Sequence, residues 1–442
     1  MSKETNKKEA VSTESYKGVR DFYPADMAIQ NYIFSKMKKT AESFGYSEYG
    51  ASVLEYADLY KAKSGEEIVN EQTYTFKDKG DREVSLRPEM TPTVARMIAA
   101  KQKELSFPLR WYSIPNLFRY EKPQRGRTRE HWQFNVDIFG VKNINADVEV
   151  ISLASSLMKS FGFKDGNFEI RVNNRKIVNY ILNNLFTLDA DTTKIISRLI
   201  DRKDKMKDGE FNQAVQETIP ERSSELLQLL NSKNFEEFVS RLPKSAELQE
   251  GIIETKELIK KLEDLGITNV VFSQSLMRGF DYYTGMIFEI MDTHPDNIRA
   301  IFGGGRYDDL LDIFGKDKVP AVGFGMGDVG IRNMLETYSI LPEIVAPAEL
   351  YICIQNESSI GFAQDLAQKL RNNGLKVSVD YSGKKFGDQI KYADKNKIPF
   401  ITCIGDEEVK NGKFKIKELT SGEEIILSDN EIVDSIRNIS SK

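Results

Sequence analysis

Residues 109–140 read LRWYSIPNLFRYEKPQRGRTREHWQFNVDIFG. Two strand-like runs flank the loop KPQRGRTRE, and the second run alternates with a period of two. Trp132, Phe134, Val136 and Ile138 fall on one face of it; His131, Gln133, Asn135 and Asp137 fall on the other. In the first run Arg119 and Glu121 share a face. The spacing predicts an antiparallel hairpin with one apolar side and one side carrying Arg119, Glu121, His131, Gln133 and Asp137. A solvated outer face is one account of that polar side. A binding face is the other, and the residue mixture favours it, because a water-facing strand in this chain would carry more Lys, Glu and Thr.

Between residues 110 and 129 six cations (Arg110, Arg119, Lys122, Arg125, Arg127 and Arg129) stand against one acid, Glu121, a net charge of +5. The whole chain, with 62 basic and 67 acidic residues, carries −5. A basic loop between two strands suits a polyphosphate or a nucleic-acid end. A merely solubilising turn is the competing account. Arginine outnumbers lysine here, and arginine makes the bidentate phosphate contacts.

The rest of the composition narrows the chemistry. The 442 residues, 40% hydrophobic and 29% charged, fit roughly three globular domains and exclude bulk disorder or a simple polycation. Cys353 and Cys403 lie in the apolar runs YICIQ and ITCIG and read as buried structural thiols. The two histidines, His131 and His294, leave no His-rich metal site and no H-E-x-x-H helix. Catalysis must therefore rest on carboxylates, arginines, lysines and tyrosines. With no long apolar run and a polar N-terminus, a cytoplasmic chain without a membrane partner is expected.

Residues 1–16 read as a disordered tail. Ordered sequence begins at KGVRDFYPADM, where Asp26 is placed to cap a helix running to about Phe44. That helix carries Ile29, Ile33, Met37 and Ala41 at helical spacing and ends at Gly45. SEYGASVLEY (47–56) reads as a strand, and strands then alternate with short helices through the first part of the main domain, 17–184. Residues 185–260, with Leu199, Ile200, Leu226, Leu229, Phe235 and Phe238 among many charges, read as a helical insertion. Strand signals return at VVFSQSLMRGFDYYTGMIFEIM and run to turns near 330, giving a second part at 261–340. After the linker ILPEIVAPAE, a β-α-β-α-β pattern over 348–442 predicts a small α/β domain with a mostly parallel sheet.

FRYEKPQRGRTREHWQF resembles motif 2 of class II aminoacyl-tRNA synthetases, and of the histidyl-tRNA synthetase family in particular. KGVRDFYP with the following helix resembles that family's motif 1, LRPEMTPTVAR its amino-acid-binding segment, and MRGFDYYTGMIFE and IFGGGRYDDL the two segments that set the family apart. Order and spacing match over 17–442. The resemblance implies an α+β catalytic domain with an antiparallel sheet of class II synthetase type, plus a helical insertion and a C-terminal α/β domain of the anticodon-binding type. It implies a homodimer with the helix from Asp26 to Phe44 near the interface. The implied activity is that of a ligase joining histidine to its tRNA, with ATP as substrate and Mg²⁺ accompanying it.

The family's roles carry over by position. Arg119 would hold the α-phosphate and the reacting carboxylate, and Arg278 would be the second catalytic arginine, where other class II enzymes use magnesium. Glu89 and Thr91, with Gln133, would take the substrate ammonium. Asp137 and Tyr283 would bond the two imidazole nitrogens, Tyr282 would line the pocket, and Tyr307 would close it after a Gly303-Gly304-Gly305 turn. For ATP, Glu121 would accept from the adenine amino group, Arg127 would hold the outer phosphates and His131 would stack on the base. Gln124 and Arg125 would meet the tRNA, Gln124 at the position used for an extra 5′ guanosine. One departure stands out: in AVGFGMGDVGIRN the position of the motif 3 arginine, which holds the γ-phosphate, is Gly330. Arg332 and Arg299 are the candidate substitutes. The competing implication is a histidine-binding regulatory paralogue of ATP phosphoribosyltransferase, which charges no tRNA.

Overall fold

The computed structural model describes residues 11–61, 72–122, 126–203, 206–207, 209–277, 282–297 and 299–440. Two compact units divide the chain, Met1–Pro342 and Glu343–Lys442. The alternating run of the hairpin becomes the strand Glu130–Phe139, with Phe134, Val136 and Ile138 buried in the main core. It pairs antiparallel with Leu109–Ser113 and Asn116–Phe118 on one side and with Ala321–Gly327 on the other. The nine-stranded sheet continues through Ala300–Arg306, Met286–Asp292 and Phe168–Asn174 to Val270–Phe272. Parallel pairing among the described strands of this sheet is confined to its two edges, where Ser47–Glu48 joins Leu109–Ser113 and Val270–Phe272 joins Phe168–Asn174.

Among the described residues, the helices Pro24–Ser43, Asn145–Ser160, Ala246–Asp264 and Asp328–Thr337 pack against the apolar face. The first starts differently from the expectation. Tyr23 is the N-cap and Pro24, whose ring presets φ, opens the helix. Asp26 lies inside the first turn and accepts from Arg332 Nη2 at 2.8 Å. The helix ends at Ser43, with Gly45 just beyond at φ +81°. Ile29, Ile33, Met37 and Ala41 are buried in this chain's own core, so the stripe itself is not available to a partner.

One carboxylate ties these pieces together. Asp328 is fully buried; its Oδ2 accepts from Arg20 Nη2 at 2.8 Å and from Gln30 Nε2 at 2.9 Å, and its Oδ1 accepts from the Trp132 backbone N–H at 3.0 Å. The N-terminal segment, the first helix and the central strand thus meet on one side chain. The turns expected near 330 are the helix Asp328–Thr337.

Other boundaries also moved. SEYGASVLEY splits: Ser47–Glu48 joins the large sheet, while Leu54–Tyr56 joins a three-stranded sheet with Glu83–Leu86 and Tyr74–Lys77. Ser52 Oγ accepts the Leu54 N–H at 3.2 Å, a local turn that interrupts the strand. The helical stretch begins at Arg175 rather than 185 and runs to Asp264, building its own core from Ile177 to Ile252 with Met277, inside the same compact unit. From the expected tail, Tyr16 accepts from Arg129 Nη1 at 3.0 Å.

In the second unit Val377–Val379, Leu350–Ile354 and Phe400–Ile404 form the expected parallel strands. An antiparallel pair, Lys413–Glu418 and Glu424–Ser428, extends the sheet, and the helix Ile432–Ser440 packs in the core. Cys353 and Cys403 are register partners on neighbouring strands; burial pushes their thiols up to about 12 and about 11. Among the described residues no helix is long and apolar enough to cross a membrane.

Removing one partner of a buried ion pair strands the other. Asp328→Asn keeps the shape but takes the charge from Arg20, so urea unfolding should show a loss of about 2–4 kcal/mol. An unchanged midpoint would show that the clamp does not hold the N-terminal segment.

Candidate active site

The polar face of Glu130–Phe139 floors a cavity of about 210 Å³. Its space is made by missing side chains. In register with Asp137 stand Gly323 and then Gly305; in register with Asn135 stand Gly325 and then Gly303. A β-carbon at Gly323 would lie 1.9 Å from Asp137 Oδ1, and one at Gly325 would lie 2.1 Å from Gln133 Nε2. The segment Gly303-Gly304-Gly305 is extended strand, not the expected turn, because it is paired on both edges.

Into this space the surrounding elements deliver polar groups. Asp137 is buried, and Tyr307, buried beside it, donates its hydroxyl to Oδ1 at 2.5 Å. Gln133 Nε2 donates to Asn135 Oδ1 at 2.8 Å, and Asn135 Nδ2 donates back to the Gln133 carbonyl at 3.0 Å. Glu89 and Thr91 line the cavity from the start of the helix Thr91–Lys101. That segment is held by Arg87, which donates to the Ala51 carbonyl at 2.8 Å and to the Asn116 carbonyl at 2.9 Å. Arg119 Nε donates to the carbonyl of Pro88, the residue before Glu89, at 2.8 Å, and Arg119 and Glu89 both line the cavity. Tyr282 and Tyr283, ring centroids 4.9 Å apart, form a wall, with Tyr282 5.7 Å from Tyr307.

The cavity therefore gathers Glu89, Thr91, Arg119, Gln133, Asp137, Tyr282, Tyr283 and Tyr307 from the residues singled out in the sequence. Glu121, Arg127 and His131 do not line it. Arg127 is exposed, its Nη1 3.7 Å from Glu121 Oε2. His131 is half-buried; burial, then Arg119 and Arg20, depress its imidazole to about 3, so the ring is neutral. Arg110, counted with the basic loop, instead pairs with Glu149 at 2.7 and 2.9 Å. Arg278, Gln124 and Arg125 lie outside the described residues. Sequence reading assigned no role to Asn135, Gly323 or Gly325, all of which line the cavity. The signal was present: AVGFGMG carries glycine at every second position, the period of one strand face. Among the described residues no group of three or more His, Cys, Asp or Glu side chains could hold a metal ion.

Burial lifts Asp137 to about 7, opposed by the Tyr307 hydrogen bond. An unfolded aspartate titrates near about 3.9, so the folded chain binds the extra proton between those values. Stability attributable to Asp137 is present below about pH 4 and declines as pH rises toward 7. Asp137→Asn cannot ionise, so its unfolding free energy should gain on wild type by up to about 1.4 kcal/mol per pH unit between pH 5 and 7. Parallel pH profiles would show instead that Asp137 is charged throughout.

A family model described as histidyl-tRNA synthetase matches residues 18–328, and one described as an anticodon binding domain matches residues 349–439. A histidine--tRNA ligase from Leptospira biflexa is 40% identical over 444 residues, covering 99% of this chain and 100% of its own. The histidyl-tRNA synthetase structure from Nostoc sp. PCC 7120 shares the fold with a TM-score of 0.83 at 22% identity, covering 97% of this chain and 100% of that one. A Bacillus halodurans C protein, described as an ATP phosphoribosyltransferase regulatory subunit/histidyl-tRNA synthetase, aligns with a TM-score of 0.74 at 25% identity, over 87% of this chain and 97% of its own. Extended similarity and the matched family model together establish that the chain belongs to the histidyl-tRNA synthetase family.

Proposed function

We propose that the chain is a histidine–tRNA ligase, which activates histidine with ATP and passes it to tRNA. The observation that carries this is the buried Asp137–Tyr307 pair facing Arg119 and Glu89 across a cavity sized for one small amino acid. A ligand ring with two polar nitrogens would meet Asp137 and Tyr283, its ammonium Glu89, Thr91 and Gln133, and its carboxylate Arg119. A carboxylate oxygen attacks the α-phosphorus of ATP, pyrophosphate leaves, and the histidyl-adenylate forms. The terminal ribose hydroxyl of tRNA then attacks the acyl carbon and AMP leaves. The nucleophile is already ionised, so the first step needs charge at phosphorus and alignment rather than a base.

Arg119 and Arg278 supply that charge in this reading. Glu121, Arg127 and His131 hold the ATP base and phosphates, Mg²⁺ travels with ATP as its counter-ion, and Gln124 and Arg125 meet the tRNA end. Neutrality suits His131 for stacking, since it adds no charge against the base. The C-terminal unit would read the anticodon, as its family match suggests. A wrong amino acid that displaced the Tyr307 phenol from Asp137 without offering an equal donor would leave both groups unpaired, enough for discrimination of about 10⁴.

Gly330 favours a second reading, the regulatory paralogue, and the Bacillus halodurans similarity is compatible with it. Histidine-dependent pyrophosphate exchange into ATP separates the two: exchange and tRNA charging are expected, and histidine binding without exchange would select the paralogue. In the same assay Arg278→Ala should slow exchange by about 10²–10³ with little change in histidine affinity. A folded variant exchanging near the wild-type rate would make Arg278 structural.

The homodimer is proposed from the motif 1 resemblance, with the exposed side of the helix Pro24–Ser43, not its buried stripe, near the partner. Sedimentation at micromolar concentration should give twice the chain mass; a monomer would refute it.

A further inference from the structure

Asn135 lines the cavity without a part in the reading above, and its bonds show what its carboxamide does. It stands in one row across the sheet with Ser113 on one side and Gly325, then Gly303, on the other. Those neighbours are small, yet Asn135 is only 3% exposed. Its carboxamide turns along its own strand to Gln133, the previous residue on the same face. Asn135 Nδ2 donates to the Gln133 main-chain carbonyl at 3.0 Å, and Asn135 Oδ1 accepts from Gln133 Nε2 at 2.8 Å.

The sense of these two bonds cannot be reversed. A main-chain carbonyl only accepts, so Asn135 must turn its nitrogen to it, and its oxygen is then the end that meets Gln133. Gln133 can approach that oxygen only with its own nitrogen. A backbone group thus dictates, through Asn135, which end of the Gln133 carboxamide points along the strand. The same direction is seen from the next strand: a β-carbon at Gly325 would lie 2.1 Å from Gln133 Nε2 and 3.4 Å from Asn135 Oδ1. Neither bond uses the Gln133 side-chain oxygen, an acceptor with two lone pairs. Toward the His131 ring, one further step along the same face, the Gln133 side chain behaves as an acceptor does and favours the protonated imidazole. An acceptor suits a cationic group, and the cavity that Gln133 lines also carries Glu89.

We propose that Asn135 is a positioning residue, which locks Gln133 with its carboxamide oxygen presented to the cavity and so fits the site to a ligand bearing a primary ammonium group. The assignment rests on the ligase reading, in which Gln133 meets the ammonium of histidine. Without Asn135 the Gln133 carboxamide is free to turn over, and the reversed orientation sets an N–H against the ammonium. The competing account is that Asn135 only fills the surface of the sheet.

The test measures binding to the full-length protein by calorimetry, with histidine and with 3-(imidazol-4-yl)propionate, the same molecule with hydrogen in place of the ammonium group. Asn135→Ala should bind histidine about tenfold more weakly, the size of one charge-assisted contact, and the analogue within about twofold of wild type. Asn135→Leu, which refills the space without either bond, should behave as the alanine variant does. Because Asn135 acts through Gln133, the two losses should not add: in a Gln133→Leu background, Asn135→Ala should change histidine affinity by less than about twofold. In histidine-dependent pyrophosphate exchange the loss should fall on KM for histidine and leave kcat and KM for ATP unchanged, since the ammonium is held equally in the ground state and the transition state. Equal losses for the two ligands, wild-type histidine affinity in both variants, or full additivity with Gln133→Leu would overturn the assignment. Histidine binding without exchange in the wild type would sink the ligase reading instead, and the calorimetric comparison would still decide Asn135.

Discussion

Two adjacent strands that present no side chain at two successive registers make the cavity possible. Gly303 and Gly305 face Gly325 and Gly323 across the ladder, so the sheet stays continuously hydrogen-bonded while its surface is hollowed. Glycine weakens strands, because it packs nothing and loses the most freedom on folding. The opposite face compensates. Phe302, Phe324, Val322 and Met326 from the same two strands are buried in the main core, with the rings of Phe302 and Phe324 5.2 Å apart and those of Phe134 and Phe324 5.8 Å apart. One face is thus stripped for binding while the other is loaded for stability, and the alternation of the strand allows both in seven residues.

The hairpin was legible because both its periodicity and its chemistry lie within one short segment. Its inward and outward faces came out as the alternation predicts, with Gln133, Asn135 and Asp137 on the cavity and Phe134, Val136 and Ile138 in the core. The segments around Glu89, Tyr282 and Tyr307 could be assembled with it only through resemblance, since nothing in their spacing says that distant stretches share a cavity. Local turn chemistry was the weakest reading. Ser52 breaks a strand that the sequence reads as continuous, and Tyr23–Pro24 start a helix that Asp26 was expected to cap. The basic loop was partly misread for a tertiary reason: Arg110 carries the same formal charge as Arg127 but is spent on Glu149. The antiparallel pair Lys413–Glu418 and Glu424–Ser428 was missed because alternating lysines look like a solvated loop, yet Phe414 and Ile416 pack inward.

Asp328 extends the influence of the core to the site. It anchors the Trp132 amide, so the neighbouring His131 is held in place by a bond that His131 itself does not make. It also holds Arg20 close enough to help keep the imidazole neutral. A buried carboxylate of this kind adds little net stability over an apolar substitute, but it enforces one arrangement of three chain segments that have no covalent reason to meet.

The hydrogen bond between Tyr307 and Asp137 has a thermodynamic consequence for any occupant of the cavity. Because the carboxylate already has a phenol partner, an incoming donor exchanges bonds or shares the acceptor rather than creating satisfaction where there was none. The enthalpy gained on entry is correspondingly small. What the pair controls is the cost of imperfect occupants: one that displaces the phenol without offering an equal donor leaves two buried groups stranded at once. Recognition built this way trades tight holding for steep rejection, and it leaves the product easy to release.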